Sequence, residues 1–359
     1  MANLAVNFCG MEFINPVMPA AGPPVRDADC VLACAKGGAG GLVTKTISVK
    51  AAEVPRPCME EISGGFLNTE LWSELPPEQW IQEEYVKCRV PGLPLIVSLG
   101  YTANEITSLV PKVSNFADAL EISTHYVGKD INPIIKSLKA AKESGLPVFM
   151  KISPGIPDVG EFVKALESEG ADGFVAINSV GPCLHIDIEN GNPFMGSKMG
   201  YGWLSGKAIK PIALRHVYEI ASNVSVPVIG VGGISTGKDA IEMMMAGASA
   251  VQMCTEPILR GPKVYGKVAE EMNKWLDQHG YVSVEDIIGL AIKNMRNRSF
   301  STTPIYPEVN KEMCISCGMC VESCAYQAIK LEPKACIDIS KCFGCGLCVT
   351  RCPKKAIKL

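Results

Sequence analysis

At 359 residues the chain has room for one large domain and one small one. Its 34 basic and 37 acidic residues leave a net charge of −3, which excludes a global electrostatic pull toward nucleic acid or anionic membrane. With 47% hydrophobic residues, no apolar run of about 18, and no basic-then-apolar leader in "MANLAVNFCGMEF", a soluble globular protein without membrane span or secretory signal is expected.

From about residue 13 to 253, short β-rich runs alternate with helical segments. In chain order the strands are "INPVMPAAG", "GGLVTKTI", "PLIVSLG", "ADALEIS", "PVFMKIS", "DGFVAINS", "PVIGVGG" and "ASAVQMC". Amphipathic stretches such as 158–170 and 236–247 lie between them. Strand–helix alternation over roughly 250 residues predicts an α/β fold, a TIM (β/α)8 barrel, with an open doubly wound sheet as the alternative. Two connections are long, 47–92 and 179–206, and are expected to build or cover an active site.

The fourth run, "ALEISTHYVGKD", ends on His125 and Tyr126, two side chains able to move protons at a strand end. Packing and loop capping are the plain alternative for both. Lys45 in "VTKTIS" and Lys151 in "FMKISP" stand in apolar strands, where an unpaired ammonium is costly. Their position at strand ends points to cofactor or substrate contacts, against structural ion pairs as the alternative. Asn178 and Ser179 close the sixth strand and can hydrogen-bond a polar ligand or cap the loop. Asn68 lies in the long second connection, as a ligand contact or a turn residue. Cys183, His185 and Asp187 in "GPCLHIDIENG" are alternative proton carriers, though an ordinary surface loop is the favoured reading for them. "VPVIGVGGIS" ends a strand on Gly232-Gly233, and "GASAVQMCT" follows one strand later. Backbone amides at such strand ends commonly bind phosphate in barrels. No G-x-G-x-x-G links a strand to a helix, so nicotinamide binding by this chain is not expected.

After a helical stretch near 284–296, "NRSFSTTPIYPEVN" reads as a linker. The expected division is a 1–300 barrel and a 301–359 ferredoxin-like domain. There Cys314, Cys317, Cys320 and Cys324 follow C-x2-C-x2-C-x3-C, and Cys342, Cys345, Cys348 and Cys352 repeat it before Pro353. Three thiolates of one run bind a 4Fe-4S cube, and the fourth binds the other cube. One cluster therefore takes Cys314, Cys317, Cys320 and Cys352, and the second takes Cys342, Cys345, Cys348 and Cys324. Structural zinc is the alternative, but it favours paired C-x2-C units. Ala325 replaces the proline expected after the first run, and Cys336 reads as a packed thiol. Sixteen cysteines used in this way argue for a reducing, cytoplasmic setting. Clusters move single electrons, so a barrel cofactor such as FMN is needed to turn them into hydride.

The combination of "GLVTKTISVK", "GYGWLSGKAIKPIALR", "GVGGIS", "GASAVQMCT" and "EMCISCGMC…CFGCGLC" resembles the dihydroorotate dehydrogenase family of FMN barrels. Within it, the likeness is to the flavin- and cluster-bearing catalytic part of dihydropyrimidine dehydrogenases. The resemblance covers nearly the whole chain. It implies FMN held by Ala21, Gly22, Lys45, Lys151, Asn178, Ser205, Gly206, Gly232, Gly233, Cys254 and Thr255. Substrate contacts are implied from Asn68, Asn178 and Ser179. One loop departs from the family pattern. Ser123 stands at the position of an asparagine, and Tyr126 at that of the proton-exchanging cysteine or serine.

The expected function is therefore an oxidoreductase acting on CH–CH groups, reducing or forming an activated C=C bond. Electrons pass through two 4Fe-4S clusters to FMN, hydride leaves flavin N5, and Tyr126 or His125 supplies the proton. The substrate is expected to be a small unsaturated molecule other than a standard pyrimidine. Alternatives are a dihydropyrimidine or dihydroorotate dehydrogenase catalytic subunit with an unusual acid, and an electron-transfer subunit without its own substrate. An NAD(P)H-linked flavoprotein or a ferredoxin is the expected donor, in a homo- or hetero-oligomer.

Overall fold

The computed structural model describes residues 1–124 and 130–359. The chain forms two compact units, Met1–Arg296 and Asn297–Leu359.

In the first unit all eight expected strands form one parallel sheet. They are β1 (Val17–Pro19), β2 (Leu42–Val43), β3 (Leu95–Leu99), β4 (Ala119–Ser123), β5 (Val148–Ile152), β6 (Gly173–Ala176), β7 (Val228–Val231) and β8 (Ala250–Met253). Their order is β1-β8-β7-β6-β5-β4-β3-β2, a nearly closed barrel with helices on the outside. Every residue of these strands but the part-buried Lys151 is buried, as parallel strands covered by crossover helices must be. Helices start where the sequence supplies caps. Thr102 and Glu105 form a capping box for Ala103–Val113, Thr236 and Asp239 do so for Gly237–Met245, and Asp158 caps Val159–Ser168.

The seam between β1 and β2 is bridged where the Gly40 N–H donates to the Val17 carbonyl at 2.8 Å. A Cβ on Gly40 would lie 1.9 Å from the Asn15 carbonyl oxygen, so only glycine allows this approach. At the amino-terminal end, the hairpin of Val6–Phe8 and Met11–Phe13 stacks Phe8 on Phe13, with Phe149 of β5 edge-on to Phe8.

The two long connections are not irregular loops, contrary to the simplest expectation. Met59–Ile62 and Gly65–Asn68 from one pair with Val180–Cys183 and Gly202–Ser205 from the other in a four-stranded antiparallel sheet. This sheet carries residues that line the cavity at the carboxyl ends of the barrel strands.

All four tryptophans, Trp72, Trp80, Trp203 and Trp275, belong to the first unit, so their fluorescence reports barrel unfolding alone. Gly40→Ala is expected to lose about 1–3 kcal/mol of barrel stability through overpacking at the seam. Gly155→Ala, where a Cβ meets nothing within 4 Å, is expected to change it by less than about 0.5 kcal/mol. Equal unfolding midpoints for the two variants would contradict this account of closure.

Candidate functional site

A cavity of about 900 Å³ opens at the carboxyl ends of the strands, a size typical of cofactor and substrate sites. Strand β1 leads into Ala21 and Gly22, and β2 into Lys45. Ser123 ends β4, Lys151 lies on β5, and Asn178 and Ser179 follow β6. Gly232 and Gly233 follow β7, and Cys254 and Thr255 follow β8. Asn68, Ser205 and Gly206 come from the antiparallel sheet and its exit. The cavity wall thus gathers every described residue expected to touch flavin or substrate. His125 and Tyr126 lie outside the described residues.

Part of the cavity wall is a close-packed glycine cradle. Gly206, Gly232 and Gly233 adopt φ of 77°, 129° and 74°. A Cβ on Gly233 would lie 3.0 Å from the Gly206 carbonyl oxygen, so these two turns touch. Ser205 Oγ and Thr255 Oγ1 share a hydrogen bond of 2.8 Å beside them. Positive φ, close backbone approach and paired hydroxyls suit a phosphate.

Another part of the cavity wall is charged and buried. Lys45 Nζ donates to Glu70 Oε2 at 2.8 Å, with only 5% and 13% of the two side chains exposed. Breaking such a pair from one side leaves an uncompensated buried charge, at a cost of about 3–5 kcal/mol. Lys151 Nζ donates to Gln252 Oε1 at 3.3 Å, and Gln252 Nε2 donates to Glu121 Oε2 at 2.7 Å. Glu121 Oε1 is buried with no hydrogen-bond partner among the described residues. Burial pushes the Cys254 thiol up to about 11 despite the neighbouring Lys45 and Lys151, so it is protonated near neutral pH. Tyr101, also on the wall, is pushed up to about 12 by burial and then by Glu105, and it too keeps its proton.

Sequence reasoning missed Glu70, Glu121, Gln252 and Tyr101. The signal for Glu121 and Gln252 was the one that revealed Lys151, a polar residue inside an apolar strand. Asn68 is shared between roles. Its amide donates to the Trp203 carbonyl at 3.2 Å and accepts from the Glu70 N–H at 3.2 Å, while it lines the cavity. Asn178 accepts from the Ser179 N–H at 2.8 Å, the loop cap its position suggested, and also faces the cavity. Cys183, His185 and Asp187 do not line it. Cys183 Sγ contacts the Val180 carbonyl at 3.5 Å, His185 Nδ1 lies 2.8 Å from Glu60 Oε1, and Asp187 holds its own turn through Asn190 at 2.6 Å.

In the second unit, Cys314, Cys317, Cys320 and Cys352 line one small cavity. Among the described residues no group of three or more His, Cys, Asp or Glu is arranged to hold a single metal ion. The four thiols surround a space rather than converge on a point, an arrangement suited to a cube. The second run repeats the local geometry. The Ala328 N–H donates to Cys324 Sγ at 3.3 Å, and the Ala356 N–H to Cys352 Sγ at 3.2 Å. Gln327 and Lys355, each three residues beyond the fourth cysteine of a run, share φ of 52° and 50°. Cys336 sits in the short strand Ala335–Ile337, outside that cavity.

The family described as dihydroorotate dehydrogenase matches residues 3–276, and the 4Fe-4S dicluster domain matches residues 307–359. The chain belongs to the dihydroorotate dehydrogenase family. It is 37% identical to the dihydroorotate dehydrogenase B (NAD(+)) catalytic subunit of Pyrococcus abyssi, over 81% of this chain and 99% of that one. The subunit of the same name from Thermococcus kodakarensis is 36% identical over 82% and 99%. The NAD-dependent dihydropyrimidine dehydrogenase subunit PreA of Escherichia coli K12 is 31% identical over 92% and 88%. The protein is a flavin oxidoreductase of the CH–CH class, an electron-transfer enzyme with a small-molecule substrate, FMN and two 4Fe-4S clusters. The cavity fits FMN. The glycine cradle suits its phosphate, the two buried ammoniums suit an electron-rich ring, and the orphaned Glu121 oxygen marks a polar interior. Among the described residues no helix is long and apolar enough to cross a membrane.

The crossed ligand sets can be tested by substitution. Cys352→Ser should remove the same cluster EPR signal as Cys314→Ser, and Cys324→Ser the same signal as Cys342→Ser, each with about half the iron and sulfide lost. If Cys352→Ser instead matched Cys342→Ser, each run would hold its own cluster and the crossed assignment would be wrong.

Proposed function

We propose that the protein reduces a C=C bond conjugated to a carbonyl, in a small polar substrate other than a standard pyrimidine. One observation carries this reading. The cavity keeps the polar wall of Asn68, Asn178 and Ser179, while its β4 edge presents Ser123 where the family pattern has asparagine. A serine carries donor and acceptor on one oxygen, so it cannot span two neighbouring ring atoms as an amide's separate nitrogen and oxygen do.

FMN, when bound, accepts single electrons and supplies hydride chemistry. In this reading Ala21, Gly22, Ser205, Gly206, Gly232, Gly233, Cys254 and Thr255 seat it, and Lys45 and Lys151 set its charge environment. Asn68, Ser123, Asn178 and Ser179 hold the substrate. Glu70 orients Lys45 through the 2.8 Å pair. Tyr126, or His125 beside it, delivers the proton. A phenol near pKa ~10 is a competent acid and a poor base at neutral pH, which favours the reductive direction.

Electrons reach the clusters from a partner, an NAD(P)H-linked flavoprotein or a ferredoxin, in a homo- or hetero-oligomer. The relatives' names, a catalytic subunit and a dehydrogenase subunit both linked to NAD, support work in partnership. None of the sixteen cysteines is in a disulfide, the state that a reducing cytoplasm maintains.

A second reading is a pyrimidine dehydrogenase with an unusual acid. The presence of Glu70 beside Asn68 on the polar wall, and the relatives' names, favour it.

The test is anaerobic reoxidation of the reduced enzyme by α,β-unsaturated amides and acids, with uracil, thymine and orotate in parallel. Reoxidation by the non-pyrimidines alone is expected, slowed about 10²–10⁴-fold by Tyr126→Phe or His125→Ala. Rapid reoxidation by a pyrimidine supports the second reading. Unchanged rates in both variants remove the proton-donor assignment. A flavin that cycles with no small-molecule oxidant marks an electron-transfer subunit.

A further inference from the structure

Glu121, Lys151 and Gln252 form a polar chain across the barrel interior, from β4 and β5 to β8. Glu121 and Lys151 are only 1% and 8% exposed at their side chains, and Gln252 is fully buried. Gln252 is committed at both ends. Its amide nitrogen meets an acceptor-only carboxylate, and its amide oxygen meets a donor-only ammonium. It therefore has one orientation, and it holds Glu121 and Lys151 at 3.6 Å, beyond hydrogen-bonding contact. Glu121 Oε1 is left without a hydrogen bond among the described residues, an expensive arrangement for a buried carboxylate. A closer direct ion pair would satisfy both charges better, so the spacer amide keeps the ammonium available to the cavity.

We propose that Glu121 is a positioning residue which, with Gln252 as spacer, fixes the Lys151 ammonium against the flavin and partly offsets its charge, thereby setting the flavin reduction potential. The inference rests on the placement of FMN against Lys151 given above. At a separation of 3.6 Å in a weakly polar interior, the carboxylate weakens the positive potential that Lys151 presents to the ring. Removing the carboxylate charge leaves the ammonium unopposed and favours the electron-rich reduced ring. Removing the ammonium does the opposite. Removing only the amide lets Lys151 close onto Glu121, so less positive charge faces the cavity.

The experiment is a redox titration of the purified holoprotein, following flavin absorbance while EPR tracks the clusters. Glu121→Gln is expected to shift the flavin potential upward, and Lys151→Met downward. In the Lys151→Met background most of the Glu121→Gln shift should disappear, because the residue acts through the ammonium. If Glu121→Gln does not fold, Gln252→Met decides, with a downward shift expected. A purely structural role would lower thermal stability and leave the potential in place. An unchanged potential in Glu121→Gln, or an equal shift with and without Lys151, overturns the inference alone. For Gln252→Met, an unchanged or raised potential does the same. An unchanged potential in Lys151→Met instead removes the flavin placement on which it rests.

Discussion

Two lysine ammoniums buried at the carboxyl ends of barrel strands constrain the site more than any other feature. Lys45 and Lys151 are almost free of solvent, so each must be balanced by an acceptor that the fold brings to it. Lys45 takes Glu70 from the long connection after β2, which ties that connection to the barrel wall. Lys151 takes Gln252 from β8 and, through it, Glu121 from β4, which links three strands across the barrel interior. The two charges and the glycine cradle line the same cavity. A ligand with an electron-rich ring and a phosphate is complementary to both.

The second unit supplies the other half of the chemistry. Eight of its nine cysteines stand in two runs whose backbone geometry repeats, down to the amide that donates to the fourth sulfur of each. Such N–H to sulfur bonds are among the factors that set cluster potentials. Clusters handle one electron at a time, whereas saturating a C=C bond takes two electrons and two protons. A flavin site joined in one chain to a dicluster domain meets that mismatch in stoichiometry.

Much of this was legible in the sequence. The eight strands were readable because each is a short apolar run bounded by turn residues, and the ligand runs because their spacing is entirely local. The antiparallel sheet was not readable. It pairs Gly65–Asn68 with Gly202–Ser205, strands far apart in sequence and too short for a clear alternation. Glu70 was hidden for the same reason, since its role depends on a connection folding back onto Lys45. Glu121 and Gln252 were visible as polar residues in "ALEIS" and "AVQM". Their shared purpose emerged only once β4, β5 and β8 were seen to face one interior. Cys183, His185 and Asp187 show the converse. Their chemistry attracted attention, but they bond within and between the two long connections rather than line the cavity.

The central claim is that the cavity bounded by Lys45, Lys151 and the glycine cradle is where flavin and unsaturated substrate meet. A crystal structure of the as-purified protein, soaked with an oxidised substrate that passes the reoxidation assay, tests this most directly. The account predicts the FMN phosphate at Gly206, Gly232, Gly233 and Thr255, its pyrimidine edge at Lys45 and Lys151, and the substrate against Asn68, Ser123, Asn178 and Ser179. Flavin density elsewhere, or substrate bound away from that wall, would contradict it.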